Sequence, residues 1–130
     1  MKRIRPVVAV VALGLLATGC GENDVPSNWI SQQYHYDGVS NGYLDRSDAP
    51  RKVADEIDAH TKAADRLSDG GMVFLRYDED MVAVSRHGSG SLIEVEDYDD
   101  GYRRWGYHVR NRWPAPGSDS FRGGGPGSGK

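Results

Sequence analysis

The stretch that decides the fold runs from residue 72 to residue 85: Met72-Val73-Phe74-Leu75-Arg76-Tyr77, Asp78-Glu79-Asp80, Met81-Val82-Ala83-Val84-Ser85. Two runs of apolar, largely β-branched and aromatic residues flank a short acidic turn, which is the pattern of a β-hairpin. Residues 91–96 (SLIEVE) alternate between apolar and acidic side chains at their end and predict a third strand. Together the three runs predict an antiparallel three-stranded meander.

Two helices are predicted before the meander. Ser27 is a candidate N-cap for a short helix that presents Trp29, Ile30, Gln33 and Tyr34. Residues 37–49 are rich in turn formers, and a second helix is predicted to start at Ser47 or Asp48 with Pro50 in its first turn. The predicted apolar face of that helix comprises Val53, Ala54, Ile57 and His60.

A third helix is predicted from Asp97 onward, because aromatic and apolar side chains recur at helical spacing. They are Tyr98, Tyr102, Trp105 and Val109. Gly101 and Gly106 weaken this prediction by about 1 kcal/mol each relative to alanine. The order helix, helix, three strands, helix predicts a small α+β domain over residues 27–113, with its helices covering one face of the sheet.

The N-terminus has the pattern of an export signal. Lys2, Arg3 and Arg5 precede an apolar run from residue 7 to residue 16, which is too short for the ~20 residues that a membrane-spanning helix needs. Small residues then precede Cys20, as in the bacterial lipobox. We expect a signal peptide at 1–19, a diacylated Cys20 with a polar spacer over 20–26, and a protein anchored at the extracytoplasmic face of the cell membrane.

Charge and cysteine content exclude several classes of protein. Loss of residues 1–19 leaves thirteen Lys and Arg against nineteen Asp and Glu, a formal charge of −6. Such an acidic domain is a poor candidate for nucleic-acid binding. Cys20 is the one cysteine, so an intramolecular disulfide cannot form.

The C-terminal stretch 114–130 contains six glycines and three prolines and predicts a flexible tail. Its Gly124–Lys130 end fits part of a phosphate-binding loop. That motif also needs a following Ser or Thr and a helix, whereas the chain stops, so neither a nucleotide nor any other cofactor is expected. An alternative is that Phe121 and Arg122 form a docking peptide that adds to the sheet edge of a partner.

Catalytic and metal-binding patterns are weak. His87 beside Gly88-Ser89-Gly90 is the one combination that a serine hydrolase could use, but a Gly-Ser turn lacks the rigidity that a nucleophile needs. The acidic residues 94–100 place their glycine too early for a calcium-binding EF-hand loop, and a helix N-terminus explains most of them. We therefore expect no catalytic residue and no metal site.

The aromatic residues after Tyr98 offer a candidate interface. Tyr98, Tyr102 and Trp105 have the spacing of a packed helix face, whereas Tyr107 falls off that stripe. Tyr107 and Trp113 are predicted to contribute to an exposed recognition patch, because interface hot spots favour tyrosine, tryptophan and arginine.

A family resemblance rests on the lipobox, the Gly-rich end and four segments between them. These segments are Phe74–Tyr77, Met81–Val84, Ile93–Val95 and Tyr98–Trp105. The chain resembles small, mostly Gram-positive lipoproteins catalogued as a domain of unknown function. The genes of such proteins tend to lie near those of small integral membrane proteins and a polyamine-forming enzyme, which implies a role in the cell envelope. The resemblance implies no catalytic residue.

The function expected from the sequence is that of a non-enzymatic accessory lipoprotein that docks on a membrane-embedded partner. Two alternatives stay open: an extracytoplasmic protein that binds a cation or polyamine through its acidic surface, and a hydrolase that uses Ser89 and His87.

Overall fold

A computed structural model describes residues 24–118. The predicted signal peptide, Cys20 and the tail beyond residue 118 lie outside the described residues. The helices and strands in chain order are α1 Ser27–Gln33, β1 His35–Asp37, β2 Gly42–Asp45, α2 Pro50–His60, β3 Asp65–Asp69, β4 Met72–Arg76, β5 Asp80–His87, β6 Gly90–Asp97, α3 Tyr98–Arg104 and α4 Gly106–Val109.

The predicted hairpin is confirmed and forms the centre of a larger sheet. β4 pairs with β5 and β5 with β6, all antiparallel, so the three-stranded meander is present. The sheet has six strands in the order β1-β2-β6-β5-β4-β3. The prediction of three strands therefore missed β1 and β2 on one side and β3 on the other.

Each missed strand has a short and mostly polar sequence. β3 (DRLSD) buries only Leu67, and its turn to β4 is made by Gly70 and Gly71, both with positive φ. β1 and β2 have three and four residues; β2 and the last residue of β1 lie within the turn-rich stretch 37–49. Their pairing with the meander, rather than their own apolar pattern, makes them strands.

The prediction that helices cover one face of the sheet is wrong, because the structure has two apolar clusters. On one face, α1 and α2 pack Ile30, Val53 and Ile57 against side chains of the central strands that include Val73, Leu75, Val82 and Val84. On the other face, the segment from Tyr98 to Trp113 packs against Phe74, Met81 and Ala83. The sheet thus lies between two helical layers.

The helix boundaries differ from the predicted ones in three places. Ser27 is the first residue of α1 and makes no capping hydrogen bond, and α2 begins at Pro50 rather than at Ser47 or Asp48. The helix predicted from Asp97 is two short helices separated at Trp105. Gly101 has a packing reason: an added Cβ would lie 2.8 Å from Met81 Sδ, so glycine lets α3 approach β5 closely.

Gly90 allows β2 to approach the start of β6. A Cβ at Gly90 would lie 1.9 Å from the carbonyl oxygen of Asp45, which is backbone and cannot rotate away. We predict that Gly90→Ala destabilises the domain by about 3 kcal/mol, because β2 must shift out of register or away from the sheet.

Urea unfolding followed by circular dichroism measures this effect, with Gly38→Ala as the control. The nearest atom to a Cβ at Gly38 is 3.9 Å away, so that variant is expected to keep wild-type stability. Equal stabilities for the two variants would contradict the close approach of β2 to Gly90.

Candidate functional site

Tyr107 is the large side chain that the second helical layer exposes. It is 92% exposed, although it follows the buried Gly106 and precedes the buried Val109 by two residues on the same short helix. α4 therefore points its apolar side inward and the Tyr107 ring into solvent. The sequence prediction that Tyr107 leaves the packed stripe agrees with this exposure.

His108 fixes α4 to the sheet. Its Nδ1 lies 2.6 Å from Asp69 Oδ2, at the end of β3, and its ring centroid lies 5.3 Å from that of Phe74. Because the imidazole contacts both the turn after β3 and the core, it holds the backbone that carries Tyr107. His108 acts here as a structural anchor.

Arg104 fixes the other end of this segment. Its guanidinium binds Glu94 at 2.8 Å and also pairs with Glu96, and it lies 4.5 Å from the ring centroid of Trp105. The Glu94 side chain is 7% exposed, so its charge needs this partner. The two contacts join the end of α3 to β6 just before α4 begins.

We call the surface formed by Tyr107, Arg110, Asn111 and Arg112 the Tyr107 face. These residues, together with Leu67, Asp69 and His108, line a cleft of about 540 Å³. The Arg110 guanidinium lies over Gly106, whose absent Cβ would come within 2.6 Å of Arg110 Nε. The face combines an exposed phenol ring with two exposed guanidinium groups.

Trp113 is not part of this surface, and its predicted exposure is wrong. It is 3% exposed and belongs to the second apolar cluster. The chain turns after Val109, where the Trp113 N–H donates to the Val109 carbonyl, and this turn folds the indole beneath the surface. The Tyr98 hydroxyl donates to the carbonyl of Pro114, which holds the first residue of the predicted tail against the domain.

Phe121 and Arg122, the other two predicted partner-binding residues, lie outside the described residues. The Gly124–Lys130 motif lies there as well.

The geometry at the β5–β6 turn does not favour a Ser–His pair. The Ser89 hydroxyl donates to the backbone carbonyl of Arg46 at 3.1 Å, and Gly88 has a φ of +59°. The hydroxyl proton is thus directed at a neighbouring loop. Both Ser89 and His87 are exposed, whereas a catalytic pair needs a rigid and partly enclosed setting.

Carboxylates near the sheet are engaged in structural contacts. Asp100 pairs with Arg103, and Glu94 and Glu96 pair with Arg104. Another group, Asp45, Asp48 and Glu56, brings three carboxylate oxygens within 4.8 Å of one another, a spacing that a cation could use.

Two of these three carboxylates already accept hydrogen bonds from the protein. Asp45 accepts the N–H groups of Ser47 and Asp48, and Glu56 accepts the Tyr34 hydroxyl. These bonds shape the turn into α2, so the group is explained without a metal. The sequence offered no sign of it, because the three residues meet only when β2 and α2 pack together.

The described domain has oppositely charged ends. Asp24 lies at the end of the sheet where β5 begins and β6 ends, and we call this end the N-terminal pole. The carboxylates of the N-terminal pole are Asp24, Asp78, Glu79, Asp80, Asp97 and Asp99. Burial raises the pKa of Asp80, and the charges of Asp97 and Asp24 raise it further. The other end, with the β3–β4 and β5–β6 turns, is the far pole, and the Tyr107 face adjoins it through Asp69.

The fold and this surface define a small α+β domain with an anchored aromatic–arginine face. The chain belongs to the family described as a domain of unknown function, DUF4247, whose model matches residues 12–129. No curated protein matches the chain, and no solved structure matches it. Within residues 24–118, none of the helices has the length and apolar character needed to cross a membrane.

We predict that Arg104→Ala destabilises the domain by about 2 kcal/mol, because it leaves the buried Glu94 charge without its guanidinium. Arg103→Ala is the matched control, since Arg103 is 71% exposed and pairs with Asp100 at the surface. That control should cost about 0.5 kcal/mol or less.

Chemical denaturation of both variants, and of Arg104→Ala combined with Glu94→Gln, tests this prediction. The double variant should recover part of the loss, because the neutral side chain no longer carries a buried charge. Equal stability of the two single arginine variants would show that Arg104 does not hold α3 to β6.

Proposed function

We propose that this chain is a membrane-anchored, non-enzymatic binding module that engages its partner through the Tyr107 face. The observation that carries the proposal is the 92% exposure of Tyr107 on a segment anchored at both ends, by Arg104–Glu94 and by His108–Asp69. An exposed aromatic on a fixed backbone loses little conformational entropy on binding. Tyrosine and arginine are also the residues that contribute most at interface centres.

The lipobox supports a tether at Cys20, and the position of Asp24 gives that tether a direction. Four residue steps separate Cys20 from Asp24, which limits their separation to ~14 Å. The eight residues of β6 span about 24 Å from the far pole to the N-terminal pole. Anchoring at Cys20 therefore keeps the N-terminal pole near the bilayer, and we propose that the domain stands upright on this pole with its Tyr107 face directed away from the membrane.

This orientation restricts the partner. A membrane-embedded partner fits when its extracytoplasmic part rises about 24 Å above the bilayer, so that it reaches the Tyr107 face. A partner located entirely outside the membrane is also compatible with this orientation.

The tether is tested first. We predict that Cys20→Ala moves the protein from the membrane fraction to the soluble fraction, because two or more acyl chains are needed for stable anchoring and the variant cannot carry the diacylglyceryl group. Fractionation followed by immunoblotting measures the distribution, and Ser27→Ala, close to the anchor in sequence, is the control. A Cys20→Ala protein that stays in the membrane fraction would refute lipid anchoring.

The binding face is tested by site-specific photo-crosslinking in intact cells. We predict that a photoreactive phenylalanine at position 107 forms a discrete crosslinked product, and that Arg110→Glu in the same chain removes it by reversing a charge on the face. Val39 is the matched control position, because it is 95% exposed but lies in the loop between β1 and β2. Equal products from positions 107 and 39, or none from position 107, would contradict the proposed face.

A second candidate function, cation or polyamine binding, is favoured by one observation. Asp78, Glu79, Asp97 and Asp99 line a cleft of about 360 Å³ at the N-terminal pole. Isothermal titration with spermidine tests this candidate. Binding heat that disappears in Asp97→Asn/Asp99→Asn would support it, and the absence of heat would exclude it.

A further inference from the structure

Five exposed arginines lie at the far pole or on the adjoining Tyr107 face: Arg46, Arg51, Arg86, Arg110 and Arg112. Within residues 24–118, none of them has a carboxylate oxygen within 4.0 Å. By contrast, Arg66, Arg103 and Arg104 each form ion pairs. The far pole and the adjoining Tyr107 face thus concentrate the exposed arginines that form no ion pair within residues 24–118.

Among the described residues, the acidic side chains at this pole form no ion pair with these arginines and have other partners. Asp69 pairs with His108, and Asp48 is 3.9 Å from Lys52. Asp45 accepts two backbone N–H groups at the turn that leads to α2. Guanidinium groups without a direct carboxylate contact therefore lie at one end of the described domain, whereas the other end is acidic.

The arginines lie along two adjoining clefts. One cleft of about 330 Å³ is lined by Arg51 and Arg86 together with the β3–β4 turn, and the other, of about 540 Å³, by Arg110 and Arg112. Asp69 lines both clefts, so they meet at the end of β3. Arg46 adds a further charge beside the β5–β6 turn, where its carbonyl accepts the Ser89 hydroxyl.

From this arrangement we infer that the far pole binds an extended phosphodiester polymer outside the membrane. The inference rests on the proposed function, whose partner it identifies by chemical class. A planar guanidinium fork matches two phosphate oxygens at once, and this set contains five arginines. Their distribution over separate loops and two clefts fits phosphates repeated along a chain better than a single phosphate group.

Two other anionic partners fit less well. An anionic bilayer fits less well in the upright orientation proposed above, in which the N-terminal pole faces the membrane and the far pole, at the other end of the ~24 Å sheet, points away from it. An acidic protein would need an apolar centre to its interface. Tyr107 is the one large apolar side chain that residues 24–118 expose at this pole, since Tyr36 and Val39 lie on β1 and the loop after it.

The test measures binding of fluorescently labelled poly(glycerol phosphate) to the full-length protein in detergent micelles. Two double variants each remove two positive charges from one cleft. Arg51→Gln/Arg86→Gln changes the cleft beside the β3–β4 turn, and Arg110→Gln/Arg112→Gln changes the cleft beside Tyr107. Lys62→Gln/Arg103→Gln is the control for net charge, because both residues are exposed and line neither cleft. Thermal unfolding checks that every variant is folded.

We expect each cleft variant to lose about tenfold or more in affinity, and the control to bind as the wild type does. Wild-type affinity should also fall steeply as salt is added. Failure of the wild type to bind, or equal losses in the cleft and control variants, would overturn the inference. If polyglutamate binds as tightly as poly(glycerol phosphate), the far pole has a general affinity for acidic chains and does not recognise phosphate. If the protein binds phosphatidylglycerol vesicles but not the polymer, the partner of the far pole is a bilayer.

These outcomes are independent of the crosslinking result at position 107. A discrete crosslinked product without polymer binding would leave the proposed binding module in place and remove only its phosphodiester partner. Polymer binding without any crosslinked product would instead remove Tyr107 as the contact residue and keep the exposed arginines as the site.

Discussion

β4 and β5 carry apolar side chains on both of their faces, and the rest of the structure depends on this constraint. One face of the sheet carries Val73, Leu75 and their apolar neighbours on β5, and the other face carries Phe74, Met81 and Ala83. Both faces must therefore be packed against other elements to be buried. One helical layer would leave several large side chains in water, each at a cost of about 1.5–3 kcal/mol. The chain meets this requirement with α1 and α2 on one face and the segment from Tyr98 to Trp113 on the other.

The second layer also creates the candidate site. The segment after β6 is short and must cover Phe74 and Met81 before it ends, so it bends at Trp105 and again after Val109. Those bends direct Trp113 inward and Tyr107 outward. The Arg104–Glu94 ion pair and the hydrogen bond between His108 and Asp69 then fix the segment to β6 and to the end of β3. The exposure of Tyr107 is thus a consequence of how the chain covers the sheet.

The sequence allowed the central meander and the existence of most helices to be predicted, because these elements carry strong apolar periodicity. The consecutive apolar residues Val73-Phe74-Leu75 also indicate a strand buried on both sides, a signal that the prediction of a one-sided sheet did not use. β3 and the β1–β2 pair lack such a signal, since edge strands need bury little. The burial of Trp113 depends on a tertiary turn, and the segregation of charge between the two poles depends on the order of the strands.

The placement of the poles gives the domain a direction relative to its proposed anchor. Acidic residues lie beside Asp24, whereas the exposed arginines and Tyr107 lie at the far pole and on the Tyr107 face that adjoins it. Under the proposed function, the fold thus places the anchor and the binding surface at different ends of the domain.

Distance from the bilayer is the measurement that tests this arrangement most directly. A lipidated Cys20 has no free thiol, so a cysteine introduced at position 24 or 107 can be labelled alone with a fluorophore. In vesicles that contain lipids with a nitroxide at the headgroup, the label at position 24 should be strongly quenched and the label at position 107 scarcely quenched. Equal quenching at the two positions would show that the Tyr107 face lies on the membrane and would contradict the proposed orientation.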